Sequence, residues 1–224
     1  MQIIAKIYTD FYEKFGIPRQ SGLSGNVGRI VFEPPYRNPD ALRGIEGYSH
    51  VWLIWQFSDI KRKEWSPTVR PPRLGGNRKM GVFSTRSPYR PNPIGLSSVR
   101  LLGIEKDEKY GDVLIVEGAD MLNETPIYDI KPYLAFTDSH PDAVCGFAED
   151  TSEYALSVDI PPQLAKCFDE EDLAELSSLL SQDPRPHYKK DGDAEYGMQF
   201  KDKNISFYVK NGIVNVTKVQ DLQI

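Results

Sequence analysis

The chain has 224 residues, 40% of them hydrophobic and 26% charged, a composition typical of globular proteins with one or two domains. The chain has two cysteines, three histidines and no CxxC pair, so neither a disulfide framework nor a metal site is expected. The lack of a signal sequence or long apolar run predicts a soluble cytoplasmic protein without a membrane partner. The net charge of −5 is uneven: residues 61–100 carry ten Lys and Arg and one acid, whereas residues 142–195 carry fourteen acids and four bases.

The first two-thirds of the chain is rich in short β segments. Runs of β-branched and aromatic residues, bounded by Gly, Pro and Asn, occur at 2–8, 27–33, 50–57, 81–85, 96–104 and 113–119. Short strands separated by turns predict a β-barrel or a sandwich, and residues 39–46 are the one helical candidate in this part. No GxGxxG follows a strand, which argues against a Rossmann-type cofactor domain.

Residues 66–95 are predicted to form a long binding loop. Prolines cannot donate to a sheet, and they stand here at positions 67, 71, 72, 88, 91 and 93. A loop of this length in a compact domain is usually functional or disordered. Its Arg, Asn and Tyr residues, interleaved with prolines of fixed φ, favour an ordered loop that binds an anion.

The character of the chain changes near residue 140, where we place a domain boundary. Residues 161–181 have Leu at helical spacing, which predicts an amphipathic helix. A β-meander is predicted to follow, with strands at 196–201, 205–210 and 213–219. Asn211-Gly212 joins the last two strands, and this pair favours a tight hairpin because both residues tolerate positive φ. We therefore expect a small α+β domain over residues 141–224.

Several strings of the sequence resemble the TsaA/TrmO family of tRNA methyltransferases: FGIPRQSGL, GIEGYSHVW, WSPTVRPPRLGGNRKMGVFSTRSPYRPNPIGLSSV, DIKPY and DPRPHYKK. Alone, a string such as DIKP is weak evidence, but together they cover nearly the whole chain. The resemblance implies a single-sheeted β-barrel over residues 1–140, a small C-terminal domain and a homodimer. It also implies that S-adenosylmethionine donates a methyl group to N6 of N6-threonylcarbamoyladenosine, next to the anticodon of threonine tRNA.

The same resemblance assigns positions to the methyl donor. They are Pro18, Arg19, Gln20, Ser58, Asp59, Arg86, Leu96, Asp120, Met121, Leu122 and Asn123. Carboxylates suit ribose hydroxyls and an ammonium group, arginine suits a carboxylate, and apolar side chains suit an adenine ring; Leu96 could equally belong to the barrel core. The chain departs from the family at 58–59, where Ser-Asp replaces His-Gln, and at 123–124, where Asn-Glu replaces Asp-Gly. Glutamate lacks glycine's easy access to positive φ.

The acceptor nitrogen is urea-like and must lose a proton, so a general base is expected. Asp129, Tyr89, Asp183 and Tyr128 are candidates by residue type, and each could be a structural hydrogen-bonding group instead. Docking of the tRNA anticodon loop is assigned to Arg70, Arg73, Arg90, Asn92, Arg185, Tyr188 and Lys189. Two alternatives remain open: an RNA-binding barrel without catalysis, and a methyltransferase with a different acceptor.

Overall fold

Short antiparallel strands dominate the N-terminal part of the protein. The structure is a computed structural model that describes residues 1–60, 64–71, 78–151, 154–185 and 192–222. Its first strands are β1 (Ala5–Tyr8), β2 (Val27–Phe32), β3 (His50–Gln56), β4 (Thr68–Val69), β5 (Met80–Gly81), β6 (Ile94–Asp107), β7 (Gly111–Glu117) and β8 (Thr125–Pro132). The prediction of a mainly β protein is confirmed.

One antiparallel sheet contains all of these strands except the short pair β4–β5. The order is β1-β2-β7-β6-β3-β8, and β8 pairs back with β1, which closes the sheet on itself. Side chains alternate along each strand. In β6, positions 95, 97, 99 and 101 are buried, whereas Leu96 and Arg100 are exposed. The inward side chains form one apolar core that includes Ile7, Ile30, Leu53, Val99 and Leu114.

A second sheet and three α-helices make up the C-terminal part. The elements are α1 (Ala135–Asp138), β9 (Ser157–Asp159), α2 (Pro162–Ala165), α3 (Glu170–Ser181), β10 (Gly192–Phe200), β11 (Lys203–Lys210) and β12 (Ile213–Asp221). The sheet has the order β10-β11-β12-β9, and β9 is parallel to β12. Leu176, Leu179 and Leu180 of α3 pack against this sheet in a second core. Within the described ranges, no helix has the length and apolar content needed to cross a membrane.

The predicted hairpin at Asn211-Gly212 is confirmed, since the two residues have φ values of +54° and +73° between β11 and β12. The predicted helix over 161–181 is wrong in extent. Its apolar periodicity is interrupted before Asp169, whose side chain accepts a hydrogen bond from the Asp172 amide and begins α3 there. Strands β4, β8 and β9 were not predicted.

Two other local predictions are wrong. Residues 39–46 form two short 3-10 turns, because Gly44 lies between them with a φ of +87°. Residues 81–85 do not continue as a strand, since Val82–Ser84 form a 3-10 turn directly after β5. The described residues of the 66–95 loop are otherwise mostly irregular, as predicted, apart from the strand pair β4–β5 and the start of β6.

The segment after β1 joins the two cores. Phe11 is 7% exposed and belongs to the second core, although it follows a strand of the closed sheet. Phe15 stacks near Tyr196 and Phe207, with ring centroids 6.4 and 6.3 Å apart. The turn that continues to residue 20 is therefore backed by the C-terminal sheet.

Candidate active site

A cleft of about 770 Å³ lies where four segments of the chain meet. They are the turn at 14–20, residues 52–60 of β3 and the following loop, residues 85–97 leading into β6, and residues 120–125 before β8. These segments are distant in sequence, but the closed sheet brings the end of β3 beside the start of β6 through the register Trp55↔Gly95.

Every residue predicted to bind the methyl donor lines this cleft, with the exception of Asn123. The lining members of that set are Pro18, Arg19, Gln20, Ser58, Asp59, Arg86, Leu96, Asp120, Met121 and Leu122. Leu96 is 56% exposed on the outer face of β6, so it is part of the cleft wall and not of the core.

Asp120 is held in the cleft by a chain of hydrogen bonds from the closed sheet. The Trp55 indole N–H donates to the Ser97 hydroxyl over 3.0 Å, and Ser97 donates to the Asp120 carboxylate over 2.6 Å. Burial raises the pKa of Asp120, and the Ser97 hydrogen bond and the Arg86 charge oppose this shift without cancelling it. The result is an oriented carboxylate that can accept hydrogen bonds from a ligand.

The Trp55 ring lies directly against Gly95. A Cβ at position 95 would lie 2.1 Å from a ring carbon, so only glycine permits this contact. Phe57 packs on the same tryptophan, with ring centroids 4.3 Å apart. All three residues line the cleft and give it an aromatic wall.

Arginine side chains connect the loops around the cleft. Arg86 donates to the side-chain oxygen of Gln20, and Arg19 donates to the backbone carbonyl of Asp183. Arg90 donates to the carbonyls of Thr85 and Ser87 over 3.0 and 3.4 Å. These bonds hold the proline-rich loop and the turn at 14–20 in place around one cavity.

Asn123 lies outside the cleft and positions its neighbours. Its side-chain oxygen accepts the Thr9 amide over 3.1 Å, while the Thr9 hydroxyl donates to the Met121 carbonyl over 3.0 Å. The following residue, Glu124, adopts a φ of +62°. A glutamate in this left-handed region carries a cost in backbone strain that a glycine would avoid.

The other departure from the family, Ser58-Asp59, lies at the exposed rim of the cleft. Lys14 lies 2.8 Å from the Asp59 carboxylate and also donates to the Asp59 backbone carbonyl. Both side chains are more than half exposed, so the contact is a weak surface pair that fixes loop position more than it stabilises the fold.

Of the predicted general bases, Tyr89 alone lines the cleft. Asp129 accepts the Ile130 amide over 2.9 Å and lies 3.1 Å from Lys131, outside the cleft. Tyr128, also outside, donates to the side chain of Gln56 over 2.7 Å.

Asp183 and Arg185 form a buried ion pair, and this corrects the roles predicted for both. Their side chains are 4% exposed, and the Arg185 Nε lies 2.8 Å from Asp183 Oδ1. Burial raises the pKa of Asp183, but hydrogen bonds from Arg185 and Tyr154 outweigh it, so the net pKa is lowered. Asp183 does not line the cleft, and the guanidinium of Arg185 is not exposed to an RNA phosphate.

The remaining residues predicted to bind RNA fall into two groups. Arg70 and Asn92 are exposed and Arg90 is half-buried; Arg90 and Asn92 line the cleft, and Arg70 does not. Arg73, Tyr188 and Lys189 lie outside the described residues. Among the residues that the structure does describe, no three His, Cys, Asp or Glu side chains are arranged to hold a metal ion.

The predictions did not include several lining residues, namely Lys14, Trp52, Trp55, Phe57 and Ser97. One of them left a signal in the sequence. Ser97 is a polar residue at an inward position of a strand whose other inward residues are Gly, Val and Leu, and it is 1% exposed. A buried serine of this kind usually has a specific hydrogen-bond partner.

Comparison with known proteins gives consistent matches over the whole chain. The family model described as the tRNA-methyltransferase O N-terminal domain matches residues 6–139, and the TrmO C-terminal domain model matches residues 153–222. The tRNA (adenine(37)-N6)-methyltransferase of Escherichia coli is 39% identical over 92% of this chain and 91% of its own length. Its counterpart in Eikenella corrodens is 41% identical over 79% of this chain and 99% of its own length. A crystal structure of TrmO from Pseudomonas aeruginosa, 32% identical, superimposes with a TM-score of 0.77 over 98% of this chain and 95% of that one.

Proposed function

The chain belongs to the TrmO family, and from that membership we propose how its cleft binds the methyl donor and which nucleotide it modifies. It is an S-adenosylmethionine-dependent tRNA methyltransferase that acts on N6 of the adenine at position 37. The acceptor is N6-threonylcarbamoyladenosine in threonine tRNA. The similarity of the DPRPHYKK string, in addition to that of the N-terminal part, supports this acceptor.

The chemistry of the cleft fits S-adenosylmethionine. The buried carboxylate of Asp120 suits ribose hydroxyls or the ammonium group, and Arg86 and Arg19 suit the carboxylate. Leu96, Leu122 and the aromatic wall suit the adenine ring, whereas Met121 is 1% exposed and belongs to the first core. When bound, S-adenosylmethionine supplies an electrophilic methyl group for an in-line displacement. The residues around it act chiefly by holding donor and acceptor in line.

Tyr89 is the candidate catalytic residue. Its location in the cleft supports this role, since Asp129 and Asp183 are engaged elsewhere. A hydroxyl at this place can accept the N6 proton in a hydrogen bond and orient the nitrogen toward the methyl group. Tyr89→Phe keeps the ring and removes the hydroxyl. We expect kcat to fall about 10²-fold with unchanged cofactor affinity; an unchanged kcat would exclude the hydroxyl.

The anticodon loop binds across the proline-rich loop beside the cleft. Exposed Arg70 and Asn92, together with Arg90, support this surface. Phosphate neutralisation by arginine releases counterions, so tRNA affinity should fall steeply with added salt. Binding that is insensitive to salt would contradict this placement.

The broader organisation is also proposed. Residues 1–140 form the cofactor-binding β-barrel domain and residues 141–224 the small α+β domain, which the closed strand order and the two hydrophobic cores support. The protein is a cytoplasmic homodimer. The dimer is an expectation from the family resemblance, and sedimentation velocity would measure the mass.

The observation that carries the function is that one cleft contains Asp120, Arg86 and the aromatic wall together. Calorimetric titration with S-adenosylmethionine tests it. We expect saturable binding that Arg86→Ala weakens about tenfold or more, since a charge-assisted bond is lost. Arg43→Ala is the matched control, because Arg43 pairs with Asp40 on the surface and does not line the cleft. Folded wild-type protein that binds no donor would contradict the assignment.

A further inference from the structure

A second cavity of about 410 Å³ adjoins the cleft. The two share Ile60, Pro88, Tyr89 and Arg90 in their walls, so they are neighbouring compartments of one site region. The second compartment adds Glu64, Trp65, Pro91 and Pro93, none of which lines the first.

The walls of the second compartment are held by backbone and side-chain bonds. The Ser66 amide donates to the Tyr89 carbonyl, and the Ser66 hydroxyl donates to the Thr68 carbonyl over 2.7 Å. The Phe57 amide donates to the Pro93 carbonyl over 2.9 Å. Prolines fix φ on the opposite wall. The compartment is thus preformed, as ligand sites usually are.

The lining of this compartment is aromatic, proline-rich and cationic. Trp65 and Tyr89 remain 51% and 39% exposed, although large rings are usually covered. Arg90 supplies a planar cation beside them. Exposed aromatic rings next to an arginine bind unstacked nucleobases, because every base offers a π face for stacking.

We propose that this compartment holds the acceptor adenine, unstacked from the anticodon loop and placed against the exposed rings of Trp65 and Tyr89. The proposal rests on the proposed function, since it needs the methyl donor in the adjoining cleft. The base lies in the second compartment, and its N6 extends past Tyr89 into the adjoining cleft, because in-line transfer requires direct contact between the nitrogen and the methyl carbon. Trp65 contributes base binding without touching the donor.

Tryptophan fluorescence tests this directly. The chain has three tryptophans, and Trp65→Phe removes one signal while keeping a ring. We expect an anticodon stem-loop RNA to quench wild-type fluorescence, and Trp65→Phe to lose that quenching. The same RNA with an abasic site at the acceptor position should bind without the quenching. Quenching that survives either change would overturn the proposal.

Affinity measurements provide the second arm. Trp65→Ala should raise the Kd for the stem-loop by about 5-fold to 100-fold, the loss typical of one stacked base, and Trp65→Phe should recover most of it. The affinity for S-adenosylmethionine should not change. Tyr12→Ala is the control, because Tyr12 is 61% exposed and lines neither cavity.

These measurements distinguish failure of the base compartment from failure of the proposed methyltransferase function. An unchanged RNA affinity in Trp65→Ala, or a loss of donor affinity instead, overturns the base compartment while the methyltransferase stands. Suppose instead that the wild-type protein shows Trp65 quenching by the stem-loop and no binding of S-adenosylmethionine. That result would support a base-binding compartment and contradict the proposed function.

Discussion

The hydroxyl of Ser97 donates a 2.6 Å hydrogen bond to the carboxylate of Asp120 from inside the closed sheet. Ser97 is 1% exposed and also accepts the indole N–H of Trp55. A residue of the core thereby orients a residue of the ligand cleft. A substitution at Ser97 should therefore change ligand binding in the cleft through Asp120, although Ser97 itself is buried.

Ser97→Ala should therefore affect both stability and binding. It leaves the buried Trp55 N–H and one Asp120 oxygen without their partner, which costs about 1–3 kcal/mol in the free energy of unfolding. Urea denaturation measures this loss, and calorimetry should show weaker binding of S-adenosylmethionine. Ser98→Ala is the control on the outer face of the same strand. Equal effects of the two variants would contradict the prediction.

We expect donor affinity to fall as the pH decreases, because the role proposed for Asp120 requires its carboxylate form. Burial raises the pKa of Asp120 above its ordinary value, so affinity should decline as the pH falls through that raised pKa. The free energy of unfolding of the donor-free protein depends on pH in the opposite direction from donor affinity. The stability that Asp120 contributes is present at low pH and is lost as the pH rises through the same pKa. Asp120→Asn should bind more weakly at neutral pH and remove the pH dependence of binding. Calorimetry over a pH series measures both.

Arg185→Ala should destabilise the fold strongly. The substitution leaves the buried Asp183 carboxylate unpaired, a loss of about 3–5 kcal/mol in the free energy of unfolding. In the wild type the pKa of Asp183 lies below the ordinary aspartate value of 3.8. The contribution of Asp183 to the free energy of unfolding is therefore present above pH 3.8 and is lost as the pH falls through the lowered pKa. Without Arg185 burial raises the pKa of Asp183, so denaturation at several pH values should show that Arg185→Ala is less destabilising at low pH, where Asp183 is protonated, than at neutral pH. If Arg185→Ala were as stable as the wild type but bound RNA more weakly, the result would contradict the assignment of Arg185 to a buried ion pair.

Glu124→Gly should stabilise the protein. Glu124 has a φ of +62°, and glycine relieves the strain of that conformation. The larger entropy of glycine in the unfolded chain offsets part of this gain, so we expect the free energy of unfolding to rise by up to about 1 kcal/mol. Glu124→Ala keeps the Cβ and should give no gain. Thermal denaturation compares the two, and a lower Tm for Glu124→Gly than for Glu124→Ala would refute the strain.

The sequence predicts much of the fold where residues act locally. Asn211-Gly212 determines its own turn, and the alternation in β6 is visible in the printed residues. Strand β8 was missed because prolines occupy positions 126 and 132, and Pro126 pairs opposite Lys6 only at the point where the sheet closes. Proline is tolerated near the start of a strand, but the sequence does not reveal that closure.

The site shows the same limit. Individual strings indicated residues at 18–20, 86 and 120–122, yet their meeting in one cleft depends on the order in which the strands pair. The charges of Asp183 and Arg185 suggested catalysis and RNA binding. Two opposite charges two residues apart do not reveal whether they face water or each other. In the fold the pair is buried, and the Tyr154 hydroxyl also donates a hydrogen bond to Asp183.

The position of Phe11 in the second core has a consequence for synthesis on the ribosome. Phe11 packs with residues of β10 to β12, which are synthesised well after β1 to β8. A nascent chain can complete the closed sheet while Phe11 and Phe15 still lack their partners. The turn with Pro18, Arg19 and Gln20 then has no backing, so we expect the proposed donor site to form only after β10 to β12 have left the ribosome.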